Sequence, residues 1–97
     1  MLTVQQIKDT VTDYFKDKPV KSVYLFGSYA RGDAGEDSDV DLGIIMEDKR
    51  MSLWKYAGMA LGLEEKLNKK IDLVEIENMH SWVKTNFDKD KMEIYHA

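Results

Sequence analysis

The chain has 97 residues, of which 43% are hydrophobic, and we expect residues 1–97 to form a single small domain. Its 18 acidic residues outnumber 14 basic ones, and the net charge of -4 disfavours direct binding to nucleic acid phosphates. Cysteine is absent, which excludes disulfides and thiolate metal sites. No apolar run reaches the roughly 18 residues of a membrane span and no secretory signal opens the chain, so we expect a cytoplasmic protein without a membrane partner.

The first third of the chain reads as a helix followed by a strand. Apolar residues at helical spacing, with Thr3 and Gln6 matching a capping box, predict a helix from about Thr3 to Lys16. Pro19 ends it, and the β-branched and aromatic run VKSVYLF predicts a strand over residues 20–26.

Turn residues follow this strand. We expect Gly27 and Ser28 to form a turn, with Ser28 as the N-cap of a short helix from Tyr29 to about Asp33. A glycine-rich loop then leads to a second strand over residues 40–46.

The second half of the chain repeats the alternation. Ser52 is a candidate cap for a helix that reaches Leu67, and IDLVEI predicts a third strand over residues 71–76. A helix over residues 79–87 and a last strand over residues 92–95 complete the pattern. Helices alternating with three or four strands indicate an α/β (α+β) layer fold, a small mixed sheet with helices packed against it.

Two carboxylates stand at the start of the second strand. Because strand side chains alternate between faces, Asp39 and Asp41 are expected to point the same way. Like charges this close repel one another unless a cation lies between them, and paired carboxylates suit magnesium. A second ion about 3.5 to 4 Å away would allow both the attacking and the leaving oxygens of a phosphoryl transfer to be held.

The Gly27-Ser28 turn complements this pair. A glycine turn lets backbone amides approach a phosphate, and the Ser28 hydroxyl can donate a further hydrogen bond. Arg31 could contact the phosphate as well, although a surface ion pair with Asp33 or Glu36 is an equal alternative. Taken alone, the turn could also be an ordinary connection between a strand and a helix.

A third carboxylate is expected from a later strand. Asp72 is the best candidate, because an acidic residue within an apolar strand is costly unless it is paired or coordinating. Glu75 and Glu77 are weaker choices. The alternative for Asp72 is an ion pair with Lys69 or Lys70.

The run DSDVD has a rival interpretation as a calcium-binding EF-hand loop, because Asp37, Asp39 and Asp41 alternate. The pattern fails in detail, since Leu42 occupies the position that requires glycine and Asp48 replaces the terminal glutamate.

The remaining aromatic and histidine residues suggest no site of their own. Trp54, Tyr56 and Trp82 could stack on a base or contact a partner, but aromatic residues at helical spacing more often pack in a core. We expect His80 and His96 to occupy solvated or capping positions.

The motifs together resemble a known family. Gly27-Ser28, ten intervening residues and Asp39-Val40-Asp41 match the GS-x10-D-x-D pattern of the DNA polymerase β-like nucleotidyltransferases. The text FGSYARGDA...SDVDL resembles the minimal nucleotidyltransferase (MNT) branch, with Asp72 where a third metal-binding aspartate is expected and MEIYH similar to the final strand. The usual glycine turn before that strand is replaced here by charged residues, and we expect a solvated turn over residues 88–93.

The resemblance implies a polymerase β-like nucleotidyltransferase fold with a defined site. Asp39 and Asp41 would bind two Mg²⁺ ions, Asp72 would bind one of them and help to deprotonate the acceptor, and Gly27 and Ser28 would position the triphosphate. The acceptor oxygen would attack the α-phosphorus of ATP and release pyrophosphate.

The resemblance also implies a partner. Many small members are encoded beside HEPN-domain ribonuclease toxins and act as antitoxins, with transfer of AMP to a toxin tyrosine as the implied route and a hetero-oligomer as the implied assembly. Two alternatives stay open at this stage: an antitoxin that acts by binding and occlusion only, and a nucleotidyltransferase that modifies a small-molecule hydroxyl.

Overall fold

Helices and strands alternate along the chain in the computed structural model, which describes residues 2–47 and 53–97. The predicted cap at Ser52 and the EF-hand position Asp48 lie outside these described residues. The elements within them are α1 Val4–Phe15, β1 Val20–Phe26, α2 Ser28–Arg31, β2 Val40–Met46, α3 Leu53–Leu67, β3 Ile71–Glu75, a 3-10 turn Ile76–Asn78, α4 Ser81–Asp90 and β4 Met92–His96.

The strands form one mixed sheet in the order β3-β2-β1-β4. Strand β1 runs antiparallel to both β2 and β4, whereas β2 and β3 are parallel. A parallel pair needs a crossover connection, and the chain between β2 and β3 contains α3. The predicted α/β fold with a small mixed sheet is confirmed.

The main core lies between the sheet and helices α1 and α3. Helix α1 buries Ile7, Val11 and Phe15, which are four residues apart and therefore lie on one side of the helix. The predicted capping box at its start is present, with the hydroxyl of Thr3 accepting from the Gln6 amide at 3.1 Å. The helix packs into the same apolar cluster as alternate residues of the central strands: Val23, Leu25, Leu42 and Ile44.

Helix α4 covers part of the opposite face of the sheet. The ring of Phe87 packs edge-on against the rings of Tyr24 and Phe26, which alternate along β1 with the main-core residues. A Cβ at Gly43 would lie 2.9 Å from Cε1 of Phe87 and 3.0 Å from Cγ1 of Ile76. Glycine at position 43 therefore lets α4 and the 3-10 turn approach the middle of the sheet.

The predicted solvated turn over residues 88–93 is wrong at its start. Helix α4 continues to Asp90, and Asp88 accepts from Lys84 at 2.9 Å one turn earlier and pairs with Lys91 at 3.5 Å. Such pairs at three- and four-residue spacing stabilise a helix. The alternating charges extend the helix instead of opening a turn.

Several other element boundaries differ from the prediction, and helix α2 ends at Arg31 instead of Asp33. Strand β3 ends at Glu75, because Ile76 opens the 3-10 turn, and α4 begins at Ser81 because Met79 is extended at the end of that turn. No helix within the described ranges has both the length and the apolar character for crossing a bilayer.

We predict that Gly43→Ala lowers the free energy of unfolding by about 1 to 3 kcal/mol, because the added methyl must displace the Phe87 ring or Ile76. Gly58→Ala is the matched control: Gly58 is exposed on α3 with open space around its Cα, so the same change should stabilise by about 0.5 to 1 kcal/mol. Urea unfolding followed by circular dichroism measures both. A Gly43→Ala variant as stable as the parent would contradict this packing.

Candidate active site

Gly27 connects β1 to α2 in a conformation that favours glycine. Its φ of 76° and ψ of -153° lie outside the regions open to other residues, and a Cβ at this position would overlap Oδ2 of Asp41. The predicted role of Ser28 as N-cap is wrong: Gly27 holds that position without a side-chain hydrogen bond, and the helix begins at Ser28 itself. The turn thus brings its backbone directly against a carboxylate.

Strand pairing brings the distant acidic residues together. In the parallel pair of β2 and β3, Asp41 lies directly opposite Asp72, so their side chains share one face of the sheet. In the antiparallel pair, Asp41 lies opposite Phe26, the residue before the glycine turn. Asp39 is exposed just before β2 begins.

The ionised form of Asp41 is unfavourable in its position beside the glycine turn. Its side chain is half-buried, and this burial raises the pKa of Asp41 to about 6, with the negative charges of Asp72 and then Asp39 adding to the effect. The positive charge of Arg31 opposes the rise in pKa only in part. A cation bound beside Asp41 would therefore relieve its repulsion with Asp72 and Asp39.

The donor set fits a cation shared with a substrate. Within residues 2–47 and 53–97, no three acidic or histidine side chains form a complete metal cage. Magnesium ordinarily binds one or two carboxylates and takes its other ligands from water and substrate phosphates. Asp41 with Asp72 or Asp39 could hold Mg²⁺ in that manner.

The two rival interpretations of the acidic residues are not supported. Lys69 donates to the backbone carbonyl of Glu36, and none of the ion pairs among the described residues joins Asp72 to a lysine. Asp41 and Leu42 lie inside strand β2, which excludes an EF-hand loop there.

Arg31 forms ion pairs with two carboxylates, one of which lies on helix α4. Its Nε lies 3.2 Å from Oδ2 of Asp33, one of its predicted partners, and its Nη1 lies 2.8 Å from Oδ2 of Asp90 on α4. The Asp90 side chain is 13% exposed, against 46% for Arg31. Sequence reasoning missed Asp90, because the two residues stand 59 positions apart and no local pattern links them.

An open cavity of about 260 Å³ lies between the glycine turn and helix α4. One wall holds Gly27, Ser28 and Asp41, and the other holds Trp82, Val83 and Asn86, while Arg31 and Asp90 also border it. The carboxylate, the turn and the arginine predicted for the site therefore share one cavity.

The aromatic predictions have mixed outcomes. Tyr56 packs as predicted, partly buried with its hydroxyl donating to the Leu73 carbonyl at 2.7 Å. Trp82 does not pack in the core, since 70% of it is exposed at the cavity. The Trp54 side chain lies outside the described residues. His80 is exposed at the N-cap of α4, and His96 is exposed with Nδ1 3.1 Å from the Ser22 hydroxyl.

Residues 4–95 match the nucleotidyltransferase domain family, and the chain belongs to this family of enzymes. It is 35% identical to a candidate protein adenylyltransferase of Methanocaldococcus jannaschii, over 93% of this chain and 96% of the relative. It is 36% identical to the protein adenylyltransferase MntA of Thermococcus cleftensis, over 86% of this chain and 87% of the relative. The resemblance to the minimal nucleotidyltransferases is confirmed.

Two solved structures share the fold. A toxin-antitoxin crystal structure with AMP-PNP superposes with a TM-score of 0.79 at 20% identity, covering 93% of this chain and 73% of the other. A complex of a tri-AMPylated Shewanella oneidensis HEPN toxin with its MNT antitoxin superposes with a TM-score of 0.74 at 18% identity, covering 96% and 72%. These two proteins therefore have the fold class predicted for this chain, a small mixed sheet with helices packed against it.

We predict that Gly27→Ala costs about 3 kcal/mol or more, because the variant combines a strained backbone with displacement of the Asp41 carboxylate. Gly32→Ala isolates the backbone contribution, because Gly32 also has a positive φ, 84°, but open space around it. This variant should lose about 1 to 2 kcal/mol of unfolding free energy. Chemical unfolding compares the two. Equal losses would mean that the contact between Gly27 and Asp41 does not contribute.

We predict that Asp41→Asn stabilises the ligand-free protein at neutral pH. The folded-state pKa of about 6 exceeds the ordinary 3.8, so the folded chain binds a proton more tightly than the unfolded chain. This contribution to stability is present below about pH 4 and is lost as the pH rises through about 6. Asp41 is half-exposed, so solvent screens its interactions in part. The free energy of unfolding of Asp41→Asn should therefore exceed that of the parent by about 1 kcal/mol at pH 7 and equal it at pH 3.5.

The control for this prediction is Asp37→Asn, which removes an exposed carboxylate of the loop before β2. Unfolding free energies measured from pH 3.5 to 7.5 should diverge from the parent for Asp41→Asn and stay parallel for Asp37→Asn. Parallel curves for both variants would contradict the burial and crowding of Asp41.

Proposed function

We propose that this protein is a magnesium-dependent nucleotidyltransferase that transfers AMP from ATP to a tyrosine hydroxyl of a HEPN-type toxin and thereby neutralises it. The observation that carries the proposal is the position of Asp41, half-buried, opposite Asp72 and against the Gly27-Ser28 turn. A cation and a phosphate chain are the ligands that suit this combination of crowded carboxylates and open backbone amides.

The related proteins support the choice of acceptor. The T. cleftensis relative is named a protein adenylyltransferase, and one structure with this fold holds AMP-PNP in a toxin-antitoxin complex. Another pairs an MNT antitoxin with a HEPN toxin that carries three AMP groups. By analogy, the acceptor for this chain is a hydroxyl on a partner protein.

The residues then have distinct roles. Asp39, Asp41 and Asp72 hold Mg²⁺, which when bound neutralises the charge of the triphosphate. The backbone amides of Gly27 and Ser28 and the Ser28 hydroxyl donate hydrogen bonds to the phosphate oxygens. Arg31 borders the same cavity, and its guanidinium would bind a phosphate by exchanging its ion pair with Asp33 or Asp90.

Asp72 is accessible to an incoming hydroxyl. Its strand β3 forms one edge of the sheet, and its side chain is exposed. As general base it takes the proton from the acceptor hydroxyl while the oxygen bonds to the α-phosphorus. The bond from that phosphorus to the bridging oxygen breaks, and pyrophosphate leaves with the electron pair.

The test is incubation with α-labelled ATP, Mg²⁺ and a HEPN-domain partner, with denaturing gels to locate the label. We expect label on the partner with the wild type and with the control Asp37→Asn. Asp41→Asn should be slower by about a hundredfold or more, because several kcal/mol of charge stabilisation is removed while folding is kept.

The outcomes separate the alternatives. An Asp41→Asn variant that still protects cells from the toxin would favour an antitoxin that acts by occlusion. Label that appears on a small hydroxylated compound without any protein partner would favour a small-molecule acceptor. Absence of label on every product of the folded wild type, with Mg²⁺ and the bound partner present, would overturn the proposal.

A further inference from the structure

Helix α4 presents an aromatic side chain to the same cavity as the glycine turn. Asn86 comes four residues after Trp82 and three after Val83, so its side chain neighbours both on the helix surface, and all three line the cavity. Trp82 is 70% exposed, so most of this large aromatic residue is accessible to a ligand. The side chain of Asn86 makes no hydrogen bond to the rest of the described chain.

This wall is held in place independently of Trp82. Phe87 is 2% exposed and packs against the Tyr24 and Phe26 rings, which attaches α4 to the sheet. At the far end of the helix, Asp90 pairs with Arg31 at 2.8 Å and so joins α4 to α2. The exposed indole therefore stands on a fixed support, as a pre-formed ligand surface requires.

We propose that Trp82 stacks on the base of the bound nucleoside triphosphate and that Asn86 faces the edge of that base. The assignment rests on the proposed function, because it takes the phosphates to lie at Gly27 and Ser28. A nucleotide anchored there extends across the cavity toward α4. The charged end then meets the polar wall, and the flat apolar end meets the indole.

The size and chemistry of the cavity suit a base. Its volume of about 260 Å³ is near the lower limit of roughly 300 Å³ for small-molecule pockets, enough for part of a nucleotide. Stacking on an aromatic ring tolerates every base. Hydrogen bonding by Asn86, whose amide both donates and accepts, can add a preference among bases.

The experiment measures binding of AMP-PNP with Mg²⁺ by calorimetry. We expect Trp82→Ala to weaken binding about tenfold and Trp82→Phe to stay within about threefold, since a phenyl ring retains most of the stacking. Leu61→Ala is the matched control, because Leu61 is also an exposed apolar residue, 65%, but lies on α3 and does not line the cavity. The Leu61→Ala variant should bind AMP-PNP with the affinity of the parent.

A spectroscopic readout accompanies the affinity. In a Trp54→Phe variant, Trp82 is the single tryptophan of the chain, and its fluorescence should be quenched on addition of AMP-PNP and Mg²⁺. For base choice, Asn86→Ala should change the ratio of the affinities for ATP and GTP, whereas Trp82→Phe should leave that ratio unchanged.

The contrary outcomes are distinct. Unchanged AMP-PNP affinity in Trp82→Ala, with wild-type binding intact, would overturn the role of Trp82 and leave the proposed function standing. If that variant instead weakened binding to the HEPN partner alone, the indole would belong to a protein interface. A wild-type chain that binds no AMP-PNP would overturn the proposed function together with this assignment.

Discussion

The contact between the Gly27 backbone and the Asp41 carboxylate is the constraint on which the site depends. The pairing of β1 with β2 sets Phe26 opposite Asp41, so the turn that follows Phe26 meets that carboxylate. A side chain at position 27 would occupy the space of the Asp41 oxygen, and the backbone there adopts a conformation that favours glycine. The parallel pairing of β2 with β3 then adds Asp72. Three strands thus converge on one acidic corner.

The clustering of Asp41 and Asp72 beside the Gly27 turn costs free energy when no ligand is bound, and packing elsewhere in the fold offsets this cost. Burial and two neighbouring carboxylates make the ionised form of Asp41 costly. The apolar layer between α1, α3 and the sheet lies on the other face, and its burial stabilises the fold against this cost. A ligand that neutralises Asp41 and its acidic neighbours would also stabilise the folded protein, because it binds the folded state.

The sequence predicted what local patterns determine. The strand containing Val23 and Leu25 is bounded by Pro19 and Gly27, which sets its limits at residues 20–26. Asp39 precedes strand β2, so strand alternation does not fix its direction relative to Asp41. The ion pair of Arg31 with Asp90 depends on how α4 docks on the sheet, which no local pattern describes. Helical spacing favoured core packing for Trp82, whereas the structure places Trp82 at the cavity, 70% exposed.

Burial and the charges of Asp72 and Asp39 should keep the ionised form of Asp41 unfavourable until a cation and a nucleotide bind. Carbon-13 NMR of the aspartate carboxyl groups, titrated with and without Mg²⁺ and AMP-PNP, tests it most directly. We expect a pKa of about 6 for Asp41 in the free protein, and a large decrease in this pKa when both ligands are present. A carboxyl group that titrates near its ordinary value in the free protein, and does not respond to the ligands, would contradict it.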